Sequence, residues 1–585
     1  MTRPRLRLLL CCLFAASPVT AQDGGLARVE VRGLSGDALD NVRGALAIER
    51  LDPQRRAALS ASRLDYLLRR TPAEVRRALE PYGHYSPTIA IRIERDGDGA
   101  ATVIIDIDPG EPVRVGDRRI RMQGEAADDS RIGAVLGSFE PLPGEVFDHR
   151  RYERSKAEVE RRLAERGYFD ARPQTARVEV SRAERRADIH LLWDSGPRHA
   201  FGEAVFGEHG FRPGLLDKLV RWTPGEPYDQ ARLIALQRSL ADLDYFSAID
   251  IRPDLDATDP DSRQVPIRID LAPARRSIYS AGLSYGTDTG AGLNLGWERR
   301  WVNTRGHKAL ANLDWAQRRQ LLTTQYRVPA FAWLDGWYTG ALNLLNEEFD
   351  GLESQRAELV ASRSGRLGLW NLTASLHAQR ERFGTGGDFS DYTSLVYPAL
   401  RAQASRGDDP LYPTRGWGLI AELRGGGAWV GSDLGFAQAH AQGRYVTSFG
   451  RRHRLLLRGE AGYTRVDDFD RFPPSLRFYA GGDRSVRGYG YREIGPRVDE
   501  VVVGGTRLLT GSVELERMFS ARWGGALFVD AGDAFRRRDE FDARVGVGLG
   551  LRWRSPVGPV RVDVAHGIDN RDRSIRIHLS MGPDL

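Results

Sequence analysis

The sequence predicts a chain of mixed class, α+β followed by all-β, in which three small modules precede a sixteen-stranded antiparallel transmembrane β-barrel. Three observations support this. Residues 27–272 contain three copies of one helix-and-strands unit, whereas residues 275–585 alternate with period two and lack helical periodicity. A 37-residue connection, 467–503, interrupts a region that otherwise turns every 12 to 20 residues. We expect this connection to be the sixth outer loop and to fold back into the barrel.

Residues 1–21 have the pattern of a secretory signal peptide. Three arginines precede a short apolar run, and Val19-Thr20-Ala21 is a small-residue cleavage site. Both cysteines, Cys11 and Cys12, lie in this segment, so no disulfide is expected in the mature chain. The net charge is +6, but the arginines are spread along the chain and mixed with acidic residues, so no nucleic-acid-binding patch is predicted.

Each predicted module has an amphipathic helix, an aromatic corner and two alternating strands. The corners align on Tyr85, Phe169 and Phe246, which are 84 and 77 residues apart. Open sheet edges in such modules can accept an extended peptide as an added strand, which predicts a docking arm; a rigid spacer is the alternative. The module boundaries that we predict are 27–108, 112–195 and 198–272.

The barrel prediction depends on segments of about ten residues in which apolar and polar side chains alternate. Val545, Val547 and Leu549 share one face, for example, while Arg552 lies on the other. A soluble β-sandwich shows the same alternation, but the signal peptide and the aromatic residues near strand ends favour a membrane barrel. An even strand count brings the first strand, 277–287, beside the last, 573–583, so that the sheet can close.

The long loop contains Val486-Arg487-Gly488-Tyr489, in which an arginine fork stands next to a flexible glycine. Strand parity directs Glu514, on 505–517, and Asp530 and Gly532, on 523–532, towards the lumen. If the loop enters the lumen, the Arg487 guanidinium can bind Glu514 or Asp530 and fix the loop to the wall. A solvated surface loop, or a loop that only plugs the pore, is the alternative.

Val486-Arg487-Gly488-Tyr489, together with Phe528-Val529-Asp530-Ala531-Gly532, resembles the paired loop and strand motifs of the outer-membrane assembly superfamily. That superfamily has periplasmic POTRA modules followed by a sixteen-stranded barrel. Three modules, the first-hairpin segment Gly286–Gly290 and the ending Ser580–Leu585 most resemble its TamA group, of the translocation and assembly module. BamA-type members usually have five modules, and two-partner secretion transporters have two.

The resemblance implies a non-enzymatic protein of the bacterial outer membrane with its POTRA modules in the periplasm. Its implied role is to fold, insert or translocate β-barrel clients such as autotransporters. The implied partners are a TamB-like inner-membrane-anchored protein that meets the modules, unfolded outer-membrane protein clients, and outer-membrane lipid. No cofactor, metal or nucleic acid is implied.

The expected mechanism is lateral opening at a seam, the junction of the first and last barrel strands. Glycine weakens strand pairing, and Pro583 donates no backbone hydrogen bond, so pairing at the seam is expected to be weak. A client strand could then add to the exposed edge. The seam residues are Gly282, Leu283, Gly286, Ile577, Leu579 and Gly582.

Other functions fit the sequence less well. A two-partner-type protein secretion pore is the main alternative; it predicts a conducting lumen and a dedicated secreted partner. A passive porin would not need three modules. Gly282-Leu283-Ser284-Tyr285-Gly286 matches the nucleophile elbow of hydrolases, but it lies in continuous strand alternation with no helix after it. The histidines show no metal-ligand spacing, so no active site is predicted.

Overall fold

The computed structural model describes residues 26–95, 101–286, 290–331, 335–349, 351–385, 388–450, 452–556, 558–569 and 575–581. The predicted signal peptide and Gly582 lie outside these ranges. The chain divides into two compact units, and the division passes through the third module. One unit contains Met1–Glu203, Trp222–Leu233 and Asp254–Pro266, and the other contains Ala204–Arg221, Ile234–Pro253 and Ile267–Leu585.

Each module is a three-stranded sheet with one or more helices. The last strand of each module is central in its sheet, between the other two. The first module consists of β1 (Leu26–Arg32), α1 (Gly36–Ala45), α2 (Pro53–Ala57), α3 (Ala61–Leu79), β2 (Thr88–Arg95) and β3 (Ala101–Asp108). The second consists of β4 (Arg114–Gln123), α4 (Ser130–Gly137), α5 (His149–Glu165), β5 (Arg172–Ser181) and β6 (Arg186–Asp194). The third consists of β7 (Ala200–Phe206), α6 (Gln230–Asp242), β8 (Phe246–Pro253) and β9 (Gln264–Pro273).

The second module shows why these elements form. The Asp148 carboxylate accepts backbone N–H groups of the first turn of α5 and so caps the helix. Val159 and Leu163 on one face of α5 are buried. They belong to the same core as Trp193 of β6, a strand whose side chains alternate between buried and partly exposed. The helix α5 and the strand β6 therefore present their apolar sides to one shared core.

The first strand of each module is absent from the sequence prediction. In the first two modules this strand pairs in parallel with the last one, and the pairing shifts register between Leu26 and Arg28 and between Val115 and Arg118. Such an irregularity inserts a residue and breaks the period-two pattern. The repeating unit is therefore one strand longer than the sequence analysis proposed.

In the rest of the chain, the described residues form one antiparallel sheet of sixteen long strands and one two-residue strand, in chain order from β10 to β28. Fold class and strand number agree with the sequence prediction. Its strands are β10 (Ser277–Gly286), β11 (Gly290–Arg299), β12 (Lys308–Ala316), β13 (Arg319–Ala330), β14 (Gly336–Phe349), β15 (Leu352–Leu367), β16 (Trp370–Thr385), β17 (Asp388–Phe389), β18 (Thr393–Gly407), β19 (Gly416–Gly426), β20 (Phe436–Phe449), β21 (His453–Val466), β24 (Arg507–Met518), β25 (Trp523–Phe535), β26 (Arg544–Ser555), β27 (Gly558–Gly567) and β28 (Ile575–Met581).

Apolar and polar side chains occupy opposite faces of this sheet. On β24, Val513 and Leu515 are exposed, whereas Glu514 and Glu516 between them are buried. An apolar outer surface around a polar interior is the pattern of a membrane barrel. Within the described ranges, no helix has the length and apolar character needed to cross a membrane.

The long loop connects β21 to β24 and runs from Asp467 to Thr506, with a short hairpin of β22 (Arg497–Val498) and β23 (Val501–Val502). It contacts the inner side of distant strands. The Ser475 hydroxyl lies 2.5 Å from a carboxylate oxygen of Glu381 on β16, and Arg492 lies 3.2 Å from Glu347 on β14. Since Arg487 of the same loop binds β25, the sheet curls around the loop.

Part of the third module packs on the barrel within the second unit. The Tyr245 hydroxyl donates to the carbonyl of Gly306, in the turn between β11 and β12. Its ring stacks on Phe211, with 4.7 Å between centroids, and lies near Trp301. Burial raises the pKa of Tyr245, so the hydroxyl keeps its proton and remains a donor. This contact fixes the base of the strands next to β10.

Candidate functional site

The loop is attached to the barrel wall through the buried side chain of Arg487. Its Nε and Nη2 donate to the two oxygens of Asp530 at 2.7 and 3.0 Å, which is a bidentate fork. Its Nη1 donates to Glu514 at 2.7 Å and to Asp563 at 2.9 Å. The backbone N–H of Arg487 also donates to Asp530, at 3.0 Å. The structure thus brings together Arg487, Glu514 and Asp530, the residues singled out in the sequence, and adds Asp563.

The guanidinium is shielded on one face by Phe528. Its Cζ lies 3.4 Å from the centroid of the Phe528 ring, which is the geometry of a cation–π contact. Phe528 and Asp530 are two residues apart on β25 and so point to the same side of the strand. The strand therefore supplies both the carboxylate that binds Arg487 and the ring that excludes water from it.

A second arginine, Arg552 on β26, completes a continuous ion network. Its guanidinium contacts Glu514 at 2.6 Å, Glu516 at 3.0 Å and Asp563 at 2.5 Å. Glu514 and Asp563 therefore each lie between Arg487 and Arg552. Arg487 is therefore one member of a buried ion network rather than half of an isolated ion pair.

Cations and carboxylates balance in this network. The ion pairs of this network join four arginines to four carboxylates, so each of these carboxylates has an arginine partner. Arg454 contacts Glu516 at 3.0 Å, and Arg458 contacts Asp530 at 3.6 Å. The members are Arg454, Arg458, Arg487, Arg552, Glu514, Glu516, Asp530 and Asp563.

The network extends to Tyr412, in the turn between β18 and β19. The Tyr412 hydroxyl donates to Glu516 at 3.0 Å. Its ring lies between Arg454 and Arg554, each with its guanidinium carbon 3.6 Å from the ring centroid. This turn is at the opposite end of the strands from the long loop. Contacts through Glu516 and Arg552 therefore join the loop to the other mouth of the barrel.

Glycines on β26 make room for the loop. A Cβ on Gly546 would overlap the carbonyl oxygen of Arg487, and one on Gly548 would overlap the Phe528 ring. One on Gly550 would overlap the carboxylate of Asp563. These glycines alternate with apolar residues that face outward. Glycine in a strand commonly marks a place where another backbone approaches closely, and at Gly546 that backbone is the loop's, whereas Gly548 and Gly550 leave room for the side chains of Phe528 and Asp563.

The residues beside Arg487 are also buried against the wall. Gly488 has a φ of +93°, and its N–H donates to a ring nitrogen of His578 on β28 at 3.1 Å. The Tyr489 ring lies against Gly567, and its hydroxyl accepts the N–H of Asp569 at 3.2 Å. Val486 belongs to a small apolar cluster that the loop forms with neighbouring strands: Phe478, Ala480, Val486, Tyr489, Ile494, Leu508 and Ala534.

We call the attachment of the loop to the barrel wall through Arg487 the pin. Gly532 has a different place from the other residues of the predicted pin. A Cβ there would lie 2.5 Å from the carbonyl oxygen of Leu509 and 2.6 Å from Thr510 Cα, both on β24. The position requires glycine because the neighbouring strand is close. Its crowding involves β24 and not the loop, so Gly532 shapes the strand that carries Asp530.

The predicted seam residues lie on strands at the two ends of the sheet. In the described part of the chain, the ladders of β10 and β28 join these strands to β11 and β27 respectively. Gly282 pairs with Asn294, and Gly286 with Gly290. The exposed fraction is 90% for Leu283, 68% for Ile577 and 67% for Leu579, against 57% for Leu527 inside the sheet.

Sequence reasoning assigned Arg552, Asp563 and Glu516 to the polar, lumen-facing side but did not include them in the attachment of the loop, and it missed Tyr412. One signal for the inner surface is present in the sequence, because Gly546, Gly548 and Gly550 alternate with apolar residues. That pattern indicates a face that side chains must leave free. Among the described residues, no group of histidine, cysteine or acidic side chains could hold a metal ion.

We expect Arg487→Ala to destabilise the barrel strongly, because it leaves Asp530, Glu514 and Asp563 without their shared cation. Removing one partner of a buried ion pair costs roughly 3–5 kcal/mol. Urea unfolding in detergent, followed by heat-modifiable gel migration, measures the loss. Arg484→Ala is the matched control, because Arg484 is exposed in the same segment and its loss should stay within about 0.5 kcal/mol. Equal losses for the two variants would contradict the pin.

We also expect Gly488→Ala to weaken the docking of the loop. The residue has a positive φ, and the new Cβ would lie 2.5 Å from the backbone nitrogen of Gly567. Such strain costs on the order of 1–3 kcal/mol. Limited proteolysis of the loop measures the effect. Gly459→Ala on β21 is the control, since nothing lies within 4 Å of its Cβ; the same cleavage rate in both variants would count against the docked loop.

Three domain families match this chain. Residues 385–584 match the Omp85 superfamily domain, and residues 28–109 match the POTRA domain described as TamA domain 1. Residues 115–192 match a POTRA domain described as a surface antigen variable number repeat. These ranges cover two of the modules and the second half of the barrel, which includes the ion network.

Related proteins carry the name outer membrane protein assembly factor BamA. The chain is 31% identical over 187 residues to BamA of Nitratidesulfovibrio vulgaris, covering 30% of this chain and 24% of that protein. It is 21% identical over 520 residues to BamA of Neisseria meningitidis serogroup B, covering 75% and 63%. The chain thus spans less than two thirds of the length of either relative.

A solved structure shares the fold. The crystal structure of BamA from Haemophilus ducreyi lacking POTRA domains 1–3 superposes with a TM-score of 0.63 at 15% identity, over 80% of this chain and 99% of that one. A barrel with an apolar outer face, in a chain with these domains, lies in the outer membrane, and its POTRA domains lie in the periplasm. This chain therefore carries POTRA domains followed by a barrel whose residues 385–584 match the Omp85 superfamily domain.

Proposed function

We propose that this protein is an outer-membrane assembly factor that folds and inserts β-barrel client proteins, such as autotransporters, by opening sideways between β10 and β28. The observation that carries the proposal is the contrast between two parts of the barrel. The loop and the wall from β21 to β27 are joined by a buried ion network, whereas β10 and β28 stand at the ends of the strand order.

The occupied lumen favours insertion over conduction. Arg487, Arg492 and Ser475 attach the loop to β25, β14 and β16, on different parts of the wall. A two-partner-type secretion pore needs a lumen that a polypeptide can enter, and this loop would first have to leave its buried contacts. A lateral route between strands leaves those contacts in place.

The strands at the seam are short. β28 has seven described residues and β10 has ten, compared with sixteen each in β15 and β16. Fewer residues form fewer ladder hydrogen bonds, so the junction of these strands opens at a lower free-energy cost than a long internal pair such as β15 and β16. An incoming client strand can then satisfy its backbone N–H and C=O groups on the exposed edge, as every strand in a bilayer must.

The pin supports this step by keeping one side of the seam ordered. Gly488 N–H bonds to His578 on β28, and Asp483 of the loop bonds to the other ring nitrogen of His578. Arg487 binds β24, β25 and β27 at the same time. β28 is therefore held in place as a template while β10 is free to separate from it.

The modules are proposed to receive clients and a partner. The open edges of their three-stranded sheets can accept an extended client segment. The match of residues 28–109 to TamA domain 1 supports a TamB-like inner-membrane-anchored protein as the partner of the modules. Unfolded outer-membrane proteins are the proposed clients, and the surrounding outer-membrane lipid receives the product.

Locking the seam with a disulfide tests lateral opening. One cysteine is placed in β10 and one in β28, in a scan of pairs centred on Gly282 and Ile577. We expect proteoliposomes with a crosslinked pair to lose insertion of an autotransporter β-domain, scored by protease protection, and to regain it when a reductant is added. The lock removes the edge to which the client strand would pair.

The control locks an internal strand pair. Leu551→Cys with Val562→Cys joins directly opposed residues of β26 and β27. This variant should insert clients normally in its oxidised form, because the seam stays free. Full insertion activity in quantitatively crosslinked seam variants would exclude lateral opening as the mechanism.

A further inference from the structure

Two arginines without carboxylate partners lie together on the outer surface of β16. Arg380 and Arg382 alternate with the buried Gln379 and Glu381, so they point away from the lumen. Their guanidinium carbons lie 4.5 and 5.1 Å from the centroid of the same ring, Tyr392. Within the described ranges, neither arginine forms an ion pair with a carboxylate.

This arrangement differs from that of the arginines in the lumen. Arg487 and Arg552 share carboxylates, which neutralise them. Arg380 and Arg382 instead bring two positive charges onto one ring, and like charges this close repel each other. An anion bound between them would remove that repulsion. The guanidinium of Arg380, together with Nη1 of Arg382, whose Nε and Nη2 donate to Gln355, can donate to the oxygens of a phosphate group.

An apolar groove lies beside the two arginines on the same surface. Its volume is about 660 Å³, and Arg380 and Tyr392 form part of its lining. Apolar side chains from four neighbouring strands provide a floor for acyl chains. They are Leu313, Trp315, Leu322, Leu344 and Ala357.

A row of amides marks the level at which the apolar band ends. Asn346 donates to Gln320 at 2.8 Å, and both Nε and Nη2 of Arg382 donate to Gln355, at 2.9 and 2.7 Å. Glu353 lies one row further towards the end of the strands, opposite Glu348. The acidic pair would repel a phosphate placed higher, so the favourable position is at the arginines.

These strand ends are on the outer side of the membrane, because β16 ends, and β18 begins, on the side of the long loop. We propose that the groove binds lipopolysaccharide of the outer leaflet, with a phosphate on Arg380 and Arg382. The acyl chains lie along Trp315 and Leu344, and the amide row contacts the sugar. Barrel and lipid would then be held in a defined arrangement on the wall that includes β12 to β16.

Lipid retention by the purified full-length protein tests this site. The protein in mild detergent is incubated with lipopolysaccharide, separated by size exclusion and assayed for bound lipid by native mass spectrometry. Arg380→Ala with Arg382→Ala should lower retention at least about tenfold, because the charge-assisted hydrogen bonds to the phosphate are lost. Heat-modifiable gel migration verifies that the variant is folded.

The probes and the control separate this site from general lipid adhesion. Wild-type protein should retain enzymatically dephosphorylated lipopolysaccharide and phosphatidylglycerol as weakly as the double variant retains lipopolysaccharide. Arg363→Ala should have no effect, although Arg363 also lies over a tyrosine ring, that of Tyr338 at 5.1 Å, near the opposite end of β15. Unchanged retention in the double variant, equal retention of either lipid probe, or an equal loss in Arg363→Ala would overturn the proposal.

Discussion

The buried guanidinium of Arg487 is the constraint on which the rest of the barrel interior depends. Removing a charge from water is expensive, and only matched carboxylates with good geometry offset that cost. Asp530 provides the fork, while Glu514 and Asp563 share the remaining donors with Arg552. Because a displaced Arg487 would leave Asp530 without its fork and the network one positive charge short, the network specifies one position of the loop more than it adds stability.

One consequence is an uneven barrel. The strands from β24 to β28 are joined across the lumen by side chains as well as by backbone ladders, and Tyr412 extends this linkage to the periplasmic mouth. β10 is joined to its neighbour β11 by its backbone ladder. A rigid wall that ends in an ordered edge, next to a short strand, is the mechanical arrangement that the proposed insertion reaction requires.

The sequence allowed only part of this site to be predicted. Strand parity identifies the face of a residue, and so Glu514 and Asp530 could be assigned to the lumen. Parity does not tell which residue of the adjacent strand lies opposite a given residue, because that depends on the register of each ladder. Asp563 and Arg552 come level with Arg487 only through the pairings of β25, β26 and β27. In the first two modules, the first strand was missed because register shifts obscure its alternation.

Chemical labelling of the loop in intact cells tests the central claim most directly. Single cysteines replace Val486, which is 0% exposed, and Val498, which is 53% exposed in the same loop. A membrane-impermeant maleimide added from outside should label the cysteine at 498 and leave the cysteine at 486 unlabelled until the protein is denatured. Equal labelling of the two positions in folded protein would show that the loop is outside the lumen and would contradict the account.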